Sequence, residues 1–286
     1  MLQIADIIVS VIATIWLVAA CVTDIKKREV ADWLSFSLIA IALAIKLMAS
    51  LLSSNYYYFL YALLGLGIFT SIAFAFYYSR IFGGGDAKLL IALSACFSSR
   101  PSFATKTLIL GFEPFLLVFM INLLFLGSIY GLLFSTILAL KNRKKFSYAY
   151  KKIEKDYRKY KIFYFALALF SFFLAIATKV YNLVILALIL VALPYLFSFV
   201  KASERLMLKL KSWHELAEGD WLAKEVKIKN KIIKPSVDGL TKKDIQEIKK
   251  ANKKVLIQDG IPFVPVFLLA LLTSLFLGNL LLLLIT

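Results

Sequence analysis

Seven stretches of this chain, at 4–22, 33–52, 56–79, 114–140, 162–178, 180–200 and 262–284, run with scarcely a charge. No other feature constrains the fold as much, because about 20 apolar residues is the length of helix that spans bilayer hydrocarbon. An eighth run, 89–99, is short and follows a cluster of glycines. It reads either as a half-embedded helix or as a span continued outward toward Phe112, and is counted here as a span. Composition agrees, since 61% of the 286 residues are hydrophobic and 18% are charged, against about 25% charged in ordinary water-soluble domains. The first run lacks a basic leader and is longer than a secretory h-region, so it is expected to stay as an anchor.

Basic residues set an orientation. With the N-terminus outside and eight crossings, segments 23–32, 80–88, 141–161 and 201–261 face the cytoplasm and hold 30 of the 34 Lys and Arg. Lys46, Arg100, Lys106 and Lys179 are the remainder, an asymmetry that the positive-inside rule expects of a plasma-membrane protein. The net charge of +17 is then accounted for by topology and contact with anionic lipid, not by nucleic acid. The basic, tyrosine-rich linker at 141–161 is read as a solvated helix at the lipid surface. Segment 201–261 is the one part polar enough to fold in water. Its alternation from Glu225 to Lys231 predicts a strand, Thr241 with Asp244 predicts a capped helix, and Val255 to Gln258 predicts a second strand. Together these make a small cytoplasmic α+β domain.

The chemistry-bearing residues are few. Cys21 and Cys96 lie in separate apolar runs without metal-ligand spacing, His214 has no evident partner, and neither a metal nor a cofactor is expected. Acidic groups at membrane depth are costly and mark function. Asp24 and Asp86 both sit at the ends of runs on the cytoplasmic side, and Asp86 follows Gly83, Gly84 and Gly85. Glycine permits positive φ or the close approach of another segment, and irregular backbone at this depth must line a cavity or be buried in protein. Two neighbouring carboxylates share a proton, which supplies a general acid and a general base from one residue type. That suits peptide hydrolysis by an activated water. The alternative is an ion- or proton-coupled transporter that uses the same carboxylates at a broken helix, although such sites lie near mid-bilayer.

Gly83-Gly84-Gly85-Asp86 resembles the Gly-x-Gly-Asp motif of membrane aspartyl proteases, and Ala87-Lys88 is similar to their prepilin peptidase branch. The segment from Asp24 to Trp33 looks like the first catalytic aspartate of that branch, above all of archaeal preflagellin peptidases. Leu216 to Leu222, Gly239-Leu240-Thr241 and Gly260 to Pro265 resemble larger archaeal members. The resemblance implies Asp24 and Asp86 as the catalytic pair and preflagellin or prepilin-like precursors as substrates, cleaved after a short basic leader. It also implies an all-α polytopic membrane protein of about eight transmembrane helices, a six-span catalytic core plus an extra hairpin. The expected division is a catalytic region at 1–140, the linker at 141–161, the hairpin at 162–200, the α+β domain at 201–261 and a last helix at 262–286. Methyl transfer, carried by a domain this chain lacks, is not expected. A basic leader approaching a basic face needs local acidic docking, for which Glu29 and Asp32 beside Asp24, and Glu204, Glu215, Glu218, Asp220 and Glu225 in the α+β domain, are the candidates.

Overall fold

The computed structural model describes residues 1–105, 114–228 and 231–283. In chain order the elements are α1 (Leu2–Lys27), α2 (Asp32–Leu52), α3 (Tyr56–Tyr78), α4 (Gly84–Phe97), α5 (Phe115–Lys141), α6 (Arg143–Asp156), α7 (Arg158–Thr178) and α8 (Asn182–Leu206). Then follow β1 (Leu208–Lys211), β2 (Trp221–Leu222), β3 (Val226–Ile228), β4 (Lys231–Ile233), α9 (Lys242–Lys250), β5 (Val255–Gln258), α10 (Val264–Phe276) and α11 (Leu280–Leu283). Among the described residues, six helices are long and apolar enough to cross a membrane: α1, α2, α3, α5, α7 and α8. The protein is thus an all-α polytopic membrane protein with a small α+β part. The chain divides into two compact units, residues 1–130 with 260–286, and residues 131–259.

In the first unit α4 is the central element, packed against α1, α2 and α3. Leu89, Leu90, Ala92, Leu93, Ser94, Ala95 and Phe97 are all buried along it. At 14 residues it is about 21 Å long, short of the roughly 30 Å of hydrocarbon. Within the described residues the eighth run is therefore an enclosed helix shorter than a span, and its continuation toward Phe112 lies outside the described residues. It keeps its apolar composition because protein surrounds it on every side. α1 lays Val9, Ala13, Leu17 and Ala20 against this core, and alanines on the seam let helix backbones come close where hydrophobic sorting from lipid is weak.

The end of this unit where α4 finishes is tied by a buried polar knot. Lys46 of α2 is 0% exposed, and its Nζ donates to Ser98 Oγ at 3.1 Å and Ser99 Oγ at 3.3 Å, with the Tyr58 ring 5.2 Å away. Tyr58 of α3 donates its hydroxyl to Asp6 Oδ1 of α1 at 2.7 Å, and the Ser102 amide donates to Asp6 Oδ2. Four helix ends meet here. The basic residue that stood apart in the charge pattern is held inside protein and not in solvent.

The last apolar run is also interrupted. α10 stops at Phe276, Gly278 takes φ +77°, and α11 restarts at Leu280. The backbone groups freed by the break find partners on neighbouring segments, as hydrocarbon requires. Asn122 of α5 donates to Gly278 O at 2.7 Å and accepts from Leu280 N at 2.9 Å, while Thr105 donates through its amide to Leu275 O and through its hydroxyl to Phe276 O.

In the second unit α7 and α8 pair as a hairpin and α6 lies against α8, with Ala149 and Ile153 of α6 packed on Ala202. The α+β part holds an antiparallel sheet in the order β1-β5-β2, a β3–β4 hairpin and α9. Thr241 caps α9, accepting from the Asp244 amide while Asp244 accepts from the Thr241 amide, as the spacing predicted. β5 covers the residues expected of it. The single strand expected over 225–231 is instead the start of a hairpin, with Val226 opposite Ile233 and Ile228 opposite Lys231. Ile228, Ile233, Leu240, Ile248, Val255 and Ile257 form its core.

Candidate active site

Asp24 lies in the last turn of α1 on the helix's inward face, and is 7% exposed. Its Oδ2 accepts the Val264 backbone N–H at 3.0 Å. That amide is the first of α10, so the carboxylate sits at a helix N-terminus, where free N–H groups and the helix dipole favour negative charge. Pro265 in the first turn of α10 is compatible with this, since proline removes only an amide that has no intrahelical partner. α1 ends with Arg28 in the left-handed conformation (φ 59°), its amide bonded to Asp24 O. Arg28 Nη1 then donates to Gly260 O at 2.6 Å, which ties the segment leading into α10 to the end of α1.

Asp86 is half-buried at the third position of α4 and accepts the Gly83 N–H through Oδ2 at 3.1 Å. It too is a carboxylate on helix-terminal amides, here those of its own helix. The two aspartates are within electrostatic reach of each other. The glycines before Asp86 do not use positive φ, which among glycines is recorded at Gly219, Gly239 and Gly278. Gly85 supplies close approach instead: a Cβ there would stand 3.0 Å from both Cβ and Cγ2 of Val30. The α1–α2 connection therefore presses on the first turn of α4, which is what brings the two aspartate-bearing segments side by side. Phe82 is buried next to them, edge-on to Phe76 and in contact with Phe263 and Phe267, so an aromatic wall backs the site.

The acidic candidates for docking have varied surroundings. Asp32 opens α2 and pairs with Lys88 of α4, while Glu29 is exposed in the α1–α2 connection. In the α+β part Glu204 pairs with Lys201 at 2.8 Å, and Glu225 precedes β3. Glu215 accepts from the Ser212 amide and hydroxyl at 2.8 and 2.9 Å, contacts that hold its carboxyl below the ordinary glutamate range. Asp220 accepts from Lys211 Nζ and from the Ala217 amide, and Glu218 lies 3.6 Å from Lys242. Cys21 and Cys96 are buried free thiols, and among the described residues no group of three metal-ligating side chains occurs. Sequence reasoning missed the Val264 amide. The Gly260 to Pro265 segment was noticed for its resemblance, but a backbone donor leaves no side-chain signal to read.

Residues 11–136 match the type IV leader peptidase family. The match takes in both Asp24 and Asp86 and covers less than half of the chain; the helix that donates to Asp24 lies outside it. No curated protein and no solved structure matches the chain. Over residues 11–136 the chain is thus similar to the type IV leader peptidase family, within a protein that carries six helices of membrane-spanning length among its described residues.

Proposed function

We propose that this chain, which matches the type IV leader peptidase family over residues 11–136, is a membrane-embedded aspartic endopeptidase. Its substrates are preflagellin or prepilin-like precursors, from which it removes a short basic leader at the cytoplasmic face of the plasma membrane. The observation that supports this most is the pairing of Asp24 and Asp86 within electrostatic reach, each held by helix-terminal amides. In the mechanism one carboxylate takes a proton from water as that water attacks the scissile carbonyl. The other, protonated, hydrogen-bonds the carbonyl oxygen and then passes its proton to the leaving amine. A pair that shares a proton resets itself after each turnover, so neither metal nor nucleophilic side chain is called on. Gly83, Gly84 and Gly85 support the backbone that carries Asp86, and Phe82 and Phe263 shield one side of the site from water, which strengthens the electrostatics inside it.

Leader docking is assigned to Glu29, Asp32, Glu215, Glu218 and Asp220. Glu29 and Glu218 test this best because neither supports the fold through a short side-chain hydrogen bond. Glu29→Lys and Glu218→Lys should raise KM for a basic leader, and unchanged KM at low salt removes the assignment. The principal experiment is co-expression with a preflagellin or a prepilin, followed by N-terminal sequencing of the product. Cleavage immediately after the basic leader is expected, and it should disappear in Asp24→Asn and in Asp86→Asn while the protein remains folded. An intact precursor with both substrates, or cleavage that survives either substitution, overturns the proposal.

A further inference from the structure

The second unit contains a cavity of about 270 Å³ lined by Lys145, Tyr148 and Lys152 of α6 and by Asn142 just before it, together with Arg205 and Leu208. It lies outside the family match and plays no part in the proposed chemistry. Asn142 and the three α6 residues fall at spacings of three and four, so one stripe of the helix faces the cavity. The adjoining face of α6, through Ala149 and Ile153, is packed on α8, which fixes the stripe in place.

Among the described residues no carboxylate pairs with Lys145, Lys152 or Arg205: Glu154 is held by Lys161 and Glu204 by Lys201, and Asp156, one turn beyond Lys152 at the end of α6, forms no ion pair with it. Three positive groups around one hollow repel one another unless an anion sits between them. The level of the cavity in the membrane narrows the choice. α5 ends at Lys141 and α8 at Leu206, both of them helices of spanning length. The hollow between α6 and the end of α8 therefore opens where hydrocarbon gives way to water, at the depth of phospholipid headgroups. Its volume is below the roughly 300 Å³ at which pockets for whole drug-sized ligands begin, which fits a headgroup whose acyl chains remain in the bilayer. Tyr148, 74% exposed, adds a hydroxyl donor and a ring suited to the interface.

We propose that this cavity binds the phosphate-bearing headgroup of an anionic phospholipid. The test uses the full chain in nanodiscs of phosphatidylcholine with and without phosphatidylglycerol, with retained lipid read by native mass spectrometry. Short-chain phosphatidylglycerol, short-chain phosphatidylcholine and inorganic phosphate are titrated in parallel. The expected result is selective retention of phosphatidylglycerol, weakened about thirtyfold by Lys145→Gln with Lys152→Gln, the worth of two cations at an anionic surface. The charge-matched pair Lys234→Gln with Lys243→Gln, exposed elsewhere in the unit, should leave retention unchanged. Equal weakening by both pairs, or equal retention of the two lipids, overturns the proposal. Inorganic phosphate competing as strongly as the lipid identifies a site for a free anion and overturns it as well.

Discussion

At the scale of single residues, the proposed chemistry rests on the two aspartates, and the packing of Gly85 against Val30 brings their segments side by side. Asp24→Asn and Asp86→Asn each remove one ionisable oxygen with little change of shape, so each should reduce cleavage to background without lowering the helical content read by circular dichroism. Gly85 gives a finer test. An alanine there must push Val30 aside by a few tenths of an ångström, so Gly85→Ala should cost about tenfold in kcat, in keeping with the sensitivity of positioned groups to small displacements. Val30→Ala in the same chain should restore most of that loss; a double variant no better than Gly85→Ala would mean that the contact does not set the geometry. Glu215 gives a pH dependence of known sign. Its folded pKa lies below the unfolded one, so its contribution is present above the ordinary glutamate value and fades as pH falls through the lower folded value. Protection factors at Trp213 to Glu215, taken relative to the intrinsic exchange rate at each pH, should therefore fall only in acid. The placement of both aspartates at the ends of apolar runs was legible in the sequence, and the glycines beside Asp86 singled that one out, whereas Asp24 beside lysines could by itself be a solvated helix-end charge. The amide that holds Asp24 was not legible, since any residue provides one.

At the scale of elements, the long spans could be read from hydropathy alone, and the two irregular runs could not. α4 looks like a truncated span because periodicity says nothing about what surrounds a helix, and its length makes sense only once α1, α2 and α3 enclose it. The interruption in the last run is signalled by Gly278 and Asn279 within a field of leucines, but the repair comes from Thr105 and Asn122, far away in sequence. Asn122→Leu would leave Gly278 O and Leu280 N without partners in an apolar setting, at a cost of about 1–3 kcal/mol. The expected readout is a lower melting temperature with α11 losing exchange protection first. In the α+β part the capping box of α9 was legible from two residues. Thr241→Ala should weaken it by about 1 kcal/mol, seen as faster exchange in the first turn of α9, with leader cleavage unaffected. β1 escaped notice although Leu208 to Lys211 alternates, because it follows directly on a long helix and its partner β5 lies more than forty residues further on.

At the scale of the whole molecule, the proposed orientation rests on where the cations fall. Cys21 and Cys96 are buried, so a cysteine introduced at Ser54 or at Glu218 would be labelled against a low background. Impermeant reagent on whole cells should reach the first and spare the second; the reverse pattern inverts the topology and ends the cytoplasmic assignment. The knot of Asp6, Lys46, Tyr58 and Ser98 bears on motion within the first unit. It fastens α1 to α4 at the end remote from Asp24 and Asp86, so these helices resemble the blades of scissors joined at a rivet. Spin-label distances between α1 and α4 should be narrowly distributed near Asp6 and broader toward Asp24, and Lys46→Ala should erase that gradient. On this view the grip with which the proposed protease would close on a peptide is set by a lysine at the far end of the helices that carry its aspartates.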